Sequence, residues 1–213
     1  MNKALRLLLA LALSLATLGA SAEVKAPDAL IRETADEVLT AVKHDKQLRE
    51  GNQKKLLELV EAKILPHFDF EKMTRLAVGF PWRQATAEQR QALISEFRTL
   101  LVRTYTAAFS RYEDQKVDVK AASYNPKKPT EATISTSIIK PGSPPIGVDY
   151  VMEKKDDGWK VFDLFIEGAS VLDSYRGTFD EQVHKAGIDG LIKYLADKNR
   201  ANAGLPLKKA DTK

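Results

Sequence analysis

Three histidines, His44, His67 and His184, are the imidazoles available for acid–base or metal chemistry, and none has a second histidine three or four residues away. Their neighbours are polar, so they read as surface histidines rather than as ligands or general bases. Cysteine is absent, which removes thiol catalysis and thiolate metal sites. No His-Glu-x-x-His helix, Gly-x-Ser-x-Gly turn or phosphate-cradling glycine loop occurs. Two carboxylates stand out. Asp163 and Glu167 lie on, or just after, an apolar stretch, where burial can raise a pKa and make a general base. Without a visible acid partner, the preferred reading is structural: a carboxylate that accepts backbone N–H groups at a strand end or helix start. No cofactor is expected.

The elements around these residues fall into helices, then strands, then helices. Pro27-Asp28 opens a helix with Ile31, Ala35, Val38, Leu39 and Val42 on one face. Gly51 reads as its C-cap and Asn52 as the next N-cap, before a helix through Leu56, Leu57, Val60 and Ile64. Asp69 starts a third helix that Gly79 stops. Thr86-Ala87-Glu88-Gln89 is a capping box opening the longest helix, expected to run to about Tyr112. The period then changes to two. Strands are expected around Val117–Ala121, Ala132–Ile138, Ile146–Met152 and Trp159–Ile166, with Asp156-Asp157-Gly158 as a hairpin turn. Helical spacing returns after Glu167-Gly168, with Thr178-Phe179-Asp180-Glu181 as a second capping box. The fold expected is α+β: a curved antiparallel sheet of about four strands against N- and C-terminal helices.

The ends have a different character. Lys3 and Arg6 precede an apolar run, Leu7 to Leu18, and Ala20-Ser21-Ala22 has the small-x-small pattern of a cleavage site. Residues 1–22 therefore read as a cleaved secretory signal peptide, whose apolar run of about a dozen residues is too short to cross a core of ~30 Å as a helix. The folded domain is expected over 23–199 and a disordered basic tail over 200–213. The chain carries 33 Lys and Arg against 29 Asp and Glu, and two of those cations lie in the leader. Such a balance does not support nucleic-acid binding.

The apolar faces are extensive enough to line a cavity as well as to fill a core. One ordered series of residues bears on that choice. Phe68-Asp69-Phe70-Glu71-Lys72-Met73-Thr74-Arg75-Leu76-Ala77-Val78-Gly79, Trp82-Arg83-Gln84-Ala85-Thr86, Thr104-Tyr105, Val148-Asp149-Tyr150, Trp159-Lys160-Val161-Phe162-Asp163 and Glu167-Gly168-Ala169-Ser170 resemble the MlaC, or toluene-tolerance auxiliary, family. Tyr175-Arg176, Phe179 and Gly187–Ile192 extend the likeness over about 30–199; Ala169 departs from the Val found most often. The resemblance implies an NTF2-like or cystatin-like fold and a periplasmic phospholipid carrier of a Gram-negative bacterium, not an enzyme. It also implies partners: an outer-membrane lipoprotein–porin complex and an inner-membrane ABC transporter with an MCE-domain subunit. The pathway so implied maintains outer-membrane lipid asymmetry.

Alternation then nominates lipid contacts: Phe97, Leu101, Tyr105 and Ala108 from the long helix; Ile134, Thr136, Ile138, Val148, Tyr150 and Met152 from the sheet; and Phe162, Leu164, Ile166, Ala169 and Val171 from the last strand and the turn beyond. A bulge in the last strand would substitute Val161 and Phe165. Arg75, Arg83 and Arg176 are candidates for a phosphate contact, with surface salt bridges as the alternative. Two other functions compete with the carrier: an enzyme using Asp163, and a non-lipid adaptor whose interior is simply filled.

Overall fold

The computed structural model describes residues 24–106 and 114–202. The leader, Ala108, the stretch of the long helix expected to reach Tyr112 and most of the tail lie outside the described residues.

Six helices and six strands are present among those residues. Helices α1 (Pro27–His44), α2 (Lys46–Arg49), α3 (Gln53–Lys63), α4 (Phe70–Val78) and α5 (Ala87–Thr106) precede the sheet. Local chemistry sets most of their ends. The Asp45 carboxylate accepts from the Gln47 and Leu48 amides and starts α2, a break the sequence pattern did not mark. Asn52 caps α3 at Lys55 N, 3.2 Å, and Asp69 caps α4 at Lys72 N, 2.8 Å. The expected box opens α5: Thr86 N donates to Gln89 Oε1 at 3.0 Å and Gln89 N to Thr86 Oγ1 at 3.2 Å.

Strands β1 (Lys116–Val119), β2 (Ser123–Asn125), β3 (Lys128–Ile139), β4 (Ile146–Lys155), β5 (Gly158–Ile166) and β6 (Ala169–Ser170) form one antiparallel sheet. Its order is β1-β3-β4-β5-β6, with β2 also on β3, so the expected meander gains two short strands. Register places Ile134 opposite Tyr150, Thr136 opposite Val148, Tyr150 opposite Leu164 and Val148 opposite Ile166. The period-two apolar residues of β3, β4 and the end of β5 thus share one face. In β5 the pairing shifts: Met152 meets Val161 and Val151 meets Asp163. Phe162 is the extra residue of a β-bulge.

The final helix, α6 (Val171–Asn202), is broken at Ala186 and Gly187. Gly187 has φ +69°, which favours glycine, and a Cβ on Gly190 would stand 2.3 Å from that of Ala186. The helix starts seven residues before the expected Thr178 cap. Ser170 is its cap, accepting from Asp173 N at 3.1 Å. The helix also continues through Arg200–Asn202, so the expected tail does not start at residue 200.

The interior has three apolar parts. The largest joins α4, α5 and α6, where Phe97 meets the Phe179 and Tyr175 rings edge-on at 5.0 and 5.1 Å. The second fills one end of the sheet's inner face with Ile31, Ala132, Ile134, Met152, Trp159 and Val161. The third, Val38, Val42, Leu48 and Leu56, belongs to α1–α3 alone.

Candidate functional site

Between these parts the interior is not filled. A part-open cavity of about 320 Å³ lies between α1, α3, α4, α5, the sheet and the start of α6. Its wall is almost wholly hydrocarbon. The α1 stripe contributes Ile31, Ala35, Val38, Leu39 and Val42; α3 and the following turn add Val60, Ile64, Leu65 and His67. Phe68, Phe70 and Met73 close one side, and Val117, Ile138, Val148, Tyr150, Val161, Leu164 and Ile166 form the floor. Among the described residues, no Lys, Arg, Asp or Glu side chain lines it. The volume is at the small end of the ~300–1,000 Å³ usual for ligand sites.

The polar groups on this wall are few. Burial pushes the Tyr105 phenol upward in pKa, helped by Tyr175, with which it is hydrogen-bonded. Burial likewise raises Tyr150, whose hydroxyl meets Thr136; Thr136 donates to Val148 O at 2.9 Å. His67 is held below the ordinary imidazole value by burial first and by the charge of Lys160 second. At neutral pH it therefore stands neutral in an apolar wall.

Eight of the nominated residues line the cavity: Leu101, Tyr105, Ile138, Val148, Tyr150, Leu164, Ile166 and Val171. Others do not. Phe97 is locked in the helical core, and Ile134 and Met152 are packed into the filled end of the sheet. Thr136 is buried beside the wall without lining it. The bulge turns Phe162 away into the helical core, under the Lys72 ammonium at 3.4 Å from its ring centroid, and brings Val161 to the wall; Phe165 does not line it. Ala169 is exposed, beyond the Glu167-Gly168 turn. Ala108 lies outside the described residues. The three arginines are also elsewhere. Arg75 and Arg83 are exposed; Arg176 pairs with Asp173 at 2.9 Å and donates to Leu76 O.

The largest omission was the roof. The stripe on α1 is plain at helical spacing, yet nothing local says that it covers a cavity rather than a core.

Asp163 is occupied structurally. Its Oδ1 accepts from Leu164 N at 2.8 Å and Leu172 N at 3.4 Å, and its Oδ2 accepts from the Ser170 hydroxyl at 2.8 Å. It holds the cap of α6 and adds negative charge at a helix N-terminus. Asp163→Ala is expected to lower unfolding free energy by about 2 kcal/mol, read by urea denaturation. A wider depression of about 600 Å³ at the β4–β5 hairpin is open and charged, lined by Asp69, Lys154, Lys155, Asp156, Asp157 and Lys160 beside Phe68 and Phe70. It offers no apolar enclosure. Among the described residues, no group of three or more His, Asp or Glu side chains is arranged to hold a metal ion.

The model of the MlaC protein family matches residues 32–197. The chain belongs to the MlaC family. Curated relatives of this MlaC-family chain include the intermembrane phospholipid transport system binding protein MlaC of Haemophilus influenzae, 26% identical over 78% of each chain. Toluene tolerance protein ttg2D of Pseudomonas putida is 23% identical over 85% of this chain and 87% of its own. Among solved structures, a phospholipid-binding protein from Ralstonia solanacearum, in complex with a phospholipid, is 34% identical. It superposes with a TM-score of 0.77, covering 84% of this chain and 99% of its own. The α+β fold expected of the MlaC family is thus the fold observed.

Proposed function

We propose that this chain is a periplasmic phospholipid carrier, exported by the leader at residues 1–22, that holds acyl chains in the cavity between α1–α5 and the sheet. The observation that carries the reading is a hydrocarbon-lined cavity to which the described residues contribute no formal charge. The family membership and the lipid-bound Ralstonia relative support it.

The energetics explain why enclosure is needed. A two-chain lipid leaving a bilayer loses the apolar surroundings of about 30 methylenes, on the order of 20 kcal/mol at ~0.8 kcal/mol each. Only a wall that replaces most of those contacts lets the lipid leave. The present volume is small for two full chains, so the roof moves to admit them. Near its start α1 is fixed to the sheet by Ile31 and by Arg32, whose Nη2 donates to Val119 O at 2.9 Å. Its later turns join α2 and α3 in a small core of their own. In this reading that unit swings as one piece about the Arg32 end.

The carrier exchanges lipid with an outer-membrane lipoprotein–porin complex and an inner-membrane ABC transporter bearing an MCE-domain subunit, maintaining outer-membrane lipid asymmetry. Chain burial dominates its binding energy, so head groups are weakly distinguished. The carrier reading, with Asp163 as a structural group, is preferred to an enzyme. The purified protein is expected to accelerate transfer of a fluorescent phospholipid between donor and acceptor vesicles in proportion to its concentration. A rate equal to the protein-free rate overturns the proposal.

A further inference from the structure

One hydroxyl of the cavity wall departs from the pattern of its helical neighbours. Thr74, Thr99 and Thr104 each donate to the carbonyl four residues back, at 2.7, 2.9 and 2.8 Å. Thr106 lies on the same helix as Thr99 and Thr104, is 2% exposed and lines the cavity, but its Oγ1 has no hydrogen-bond partner among the described residues. A buried hydroxyl left unpaired is a standing cost, relieved by any acceptor brought to it. Three other polar groups of this wall are engaged: Tyr105 with Tyr175, Tyr150 with Thr136, and Gln115 with a partner of its own; Thr34 and His67 lie across the cavity on or near the helices of the roof. Threonine in a helix has two accessible χ1 rotamers, so one rotation re-aims its hydroxyl at the wall.

The wall's chemistry selects the acceptor. With no lysine or arginine among the described residues that line it, a phosphate would enter without a counter-charge from them. A neutral carbonyl pays no such cost. In a diacyl lipid the neutral acceptors at the head of each chain are the ester carbonyls. We propose that Thr106 donates a hydrogen bond to an acyl-ester carbonyl of the bound lipid and so fixes how deeply the chains enter. This rests on the carrier reading and extends it to a residue that selects ester-linked over ether-linked lipid.

The test loads delipidated protein from vesicles of diacyl phosphatidylethanolamine or of its diether analogue with equal chains, with bound lipid measured by mass spectrometry. Wild type is expected to favour the diester by about three- to tenfold, the range of one neutral hydrogen bond. Thr106→Val is expected to lower diester loading to the diether level while leaving diether loading unchanged, and Thr106→Ser to keep the preference. Because Thr106→Val removes an unpaired hydroxyl, its melting temperature without lipid is expected to hold or rise. Wild-type selectivity persisting in Thr106→Val overturns the assignment of Thr106 alone. Failure of wild type to load either lipid overturns the carrier reading and this inference with it.

Discussion

Val148→Glu is expected to cut phospholipid loading about a hundredfold or more while the protein remains folded. Val148 is buried on the cavity floor, opposite Ile166 on β5 and Thr136 on β3. An empty cavity lets water reach a carboxylate there, which limits the cost to the unliganded fold. An acyl chain laid over it removes that water. Either the charge is buried or the group takes up a proton, and on the order of 3 kcal/mol of binding is lost. Leu164→Trp makes the complementary case without charge: it fills the space, so loading falls while thermal stability does not. Ala169→Glu is the control. The residue is exposed, away from the cavity, and its variant is expected to load like wild type. Loading is read by extraction and mass spectrometry, and folding by circular dichroism.

The second large effect concerns a charge cluster that fastens α4, one wall of the cavity, to the sheet. The Lys72 side chain is only 10% exposed; its Nζ lies 3.1 Å from Glu153 and 3.5 Å from Glu131, over the Phe162 ring. Lys155 bridges Glu153 at 2.9 Å and Asp69, the α4 cap, at 3.1 Å. Removing the central cation leaves Glu153 with Lys155 and Glu131 with Lys128, 3.3 Å away, as their remaining cations. Lys72→Ala is expected to cost about 2–3 kcal/mol of unfolding free energy, measured in urea, the range of a lost hydrogen bond to a charged group. Neutralising Glu131 and Glu153 to Gln in the same chain is expected to recover part of it, because each carboxylate would otherwise be left with one cation in place of two. The pH dependence has a definite sign. Burial alone would raise the Glu153 pKa, but hydrogen bonds from Lys155 and then Lys72 outweigh it and hold the group below the ordinary glutamate value. A lowered carboxylate pKa contributes stability that is complete above the unfolded value, near 4.3, and is lost as pH falls through the folded value. Wild type should lose stability below about pH 4, and Lys72→Met should flatten that loss.

How far the sequence foretold this arrangement depends on the range of each signal. Thr86, Asn52 and Asp69 were readable as caps because a cap is chemistry within one turn. The inner face of β3 and β4 was readable because one-sided burial writes a period of two. In β5 both faces are apolar, so alternation could not reveal that Phe162 is bulged out and Val161 turned in. Ser170 escaped notice as the α6 cap because it closes a two-residue strand, and a Thr-x-x-Glu pattern further on falls in the helix interior, between its ends. Phe97 and Met152 show a deeper limit. They occupy stripe positions like those of Leu101 and Val148, yet face filled regions, and only the three-dimensional meeting of α1 with the sheet decides which part of an apolar face stays hollow.

The most direct test of the hollow interior is organic extraction of the protein purified from cells under native conditions, followed by mass spectrometry. The account predicts a reproducible near-stoichiometric phospholipid fraction from wild type that is absent from Val148→Glu. An empty wild-type protein, or equal lipid from both proteins, would contradict it.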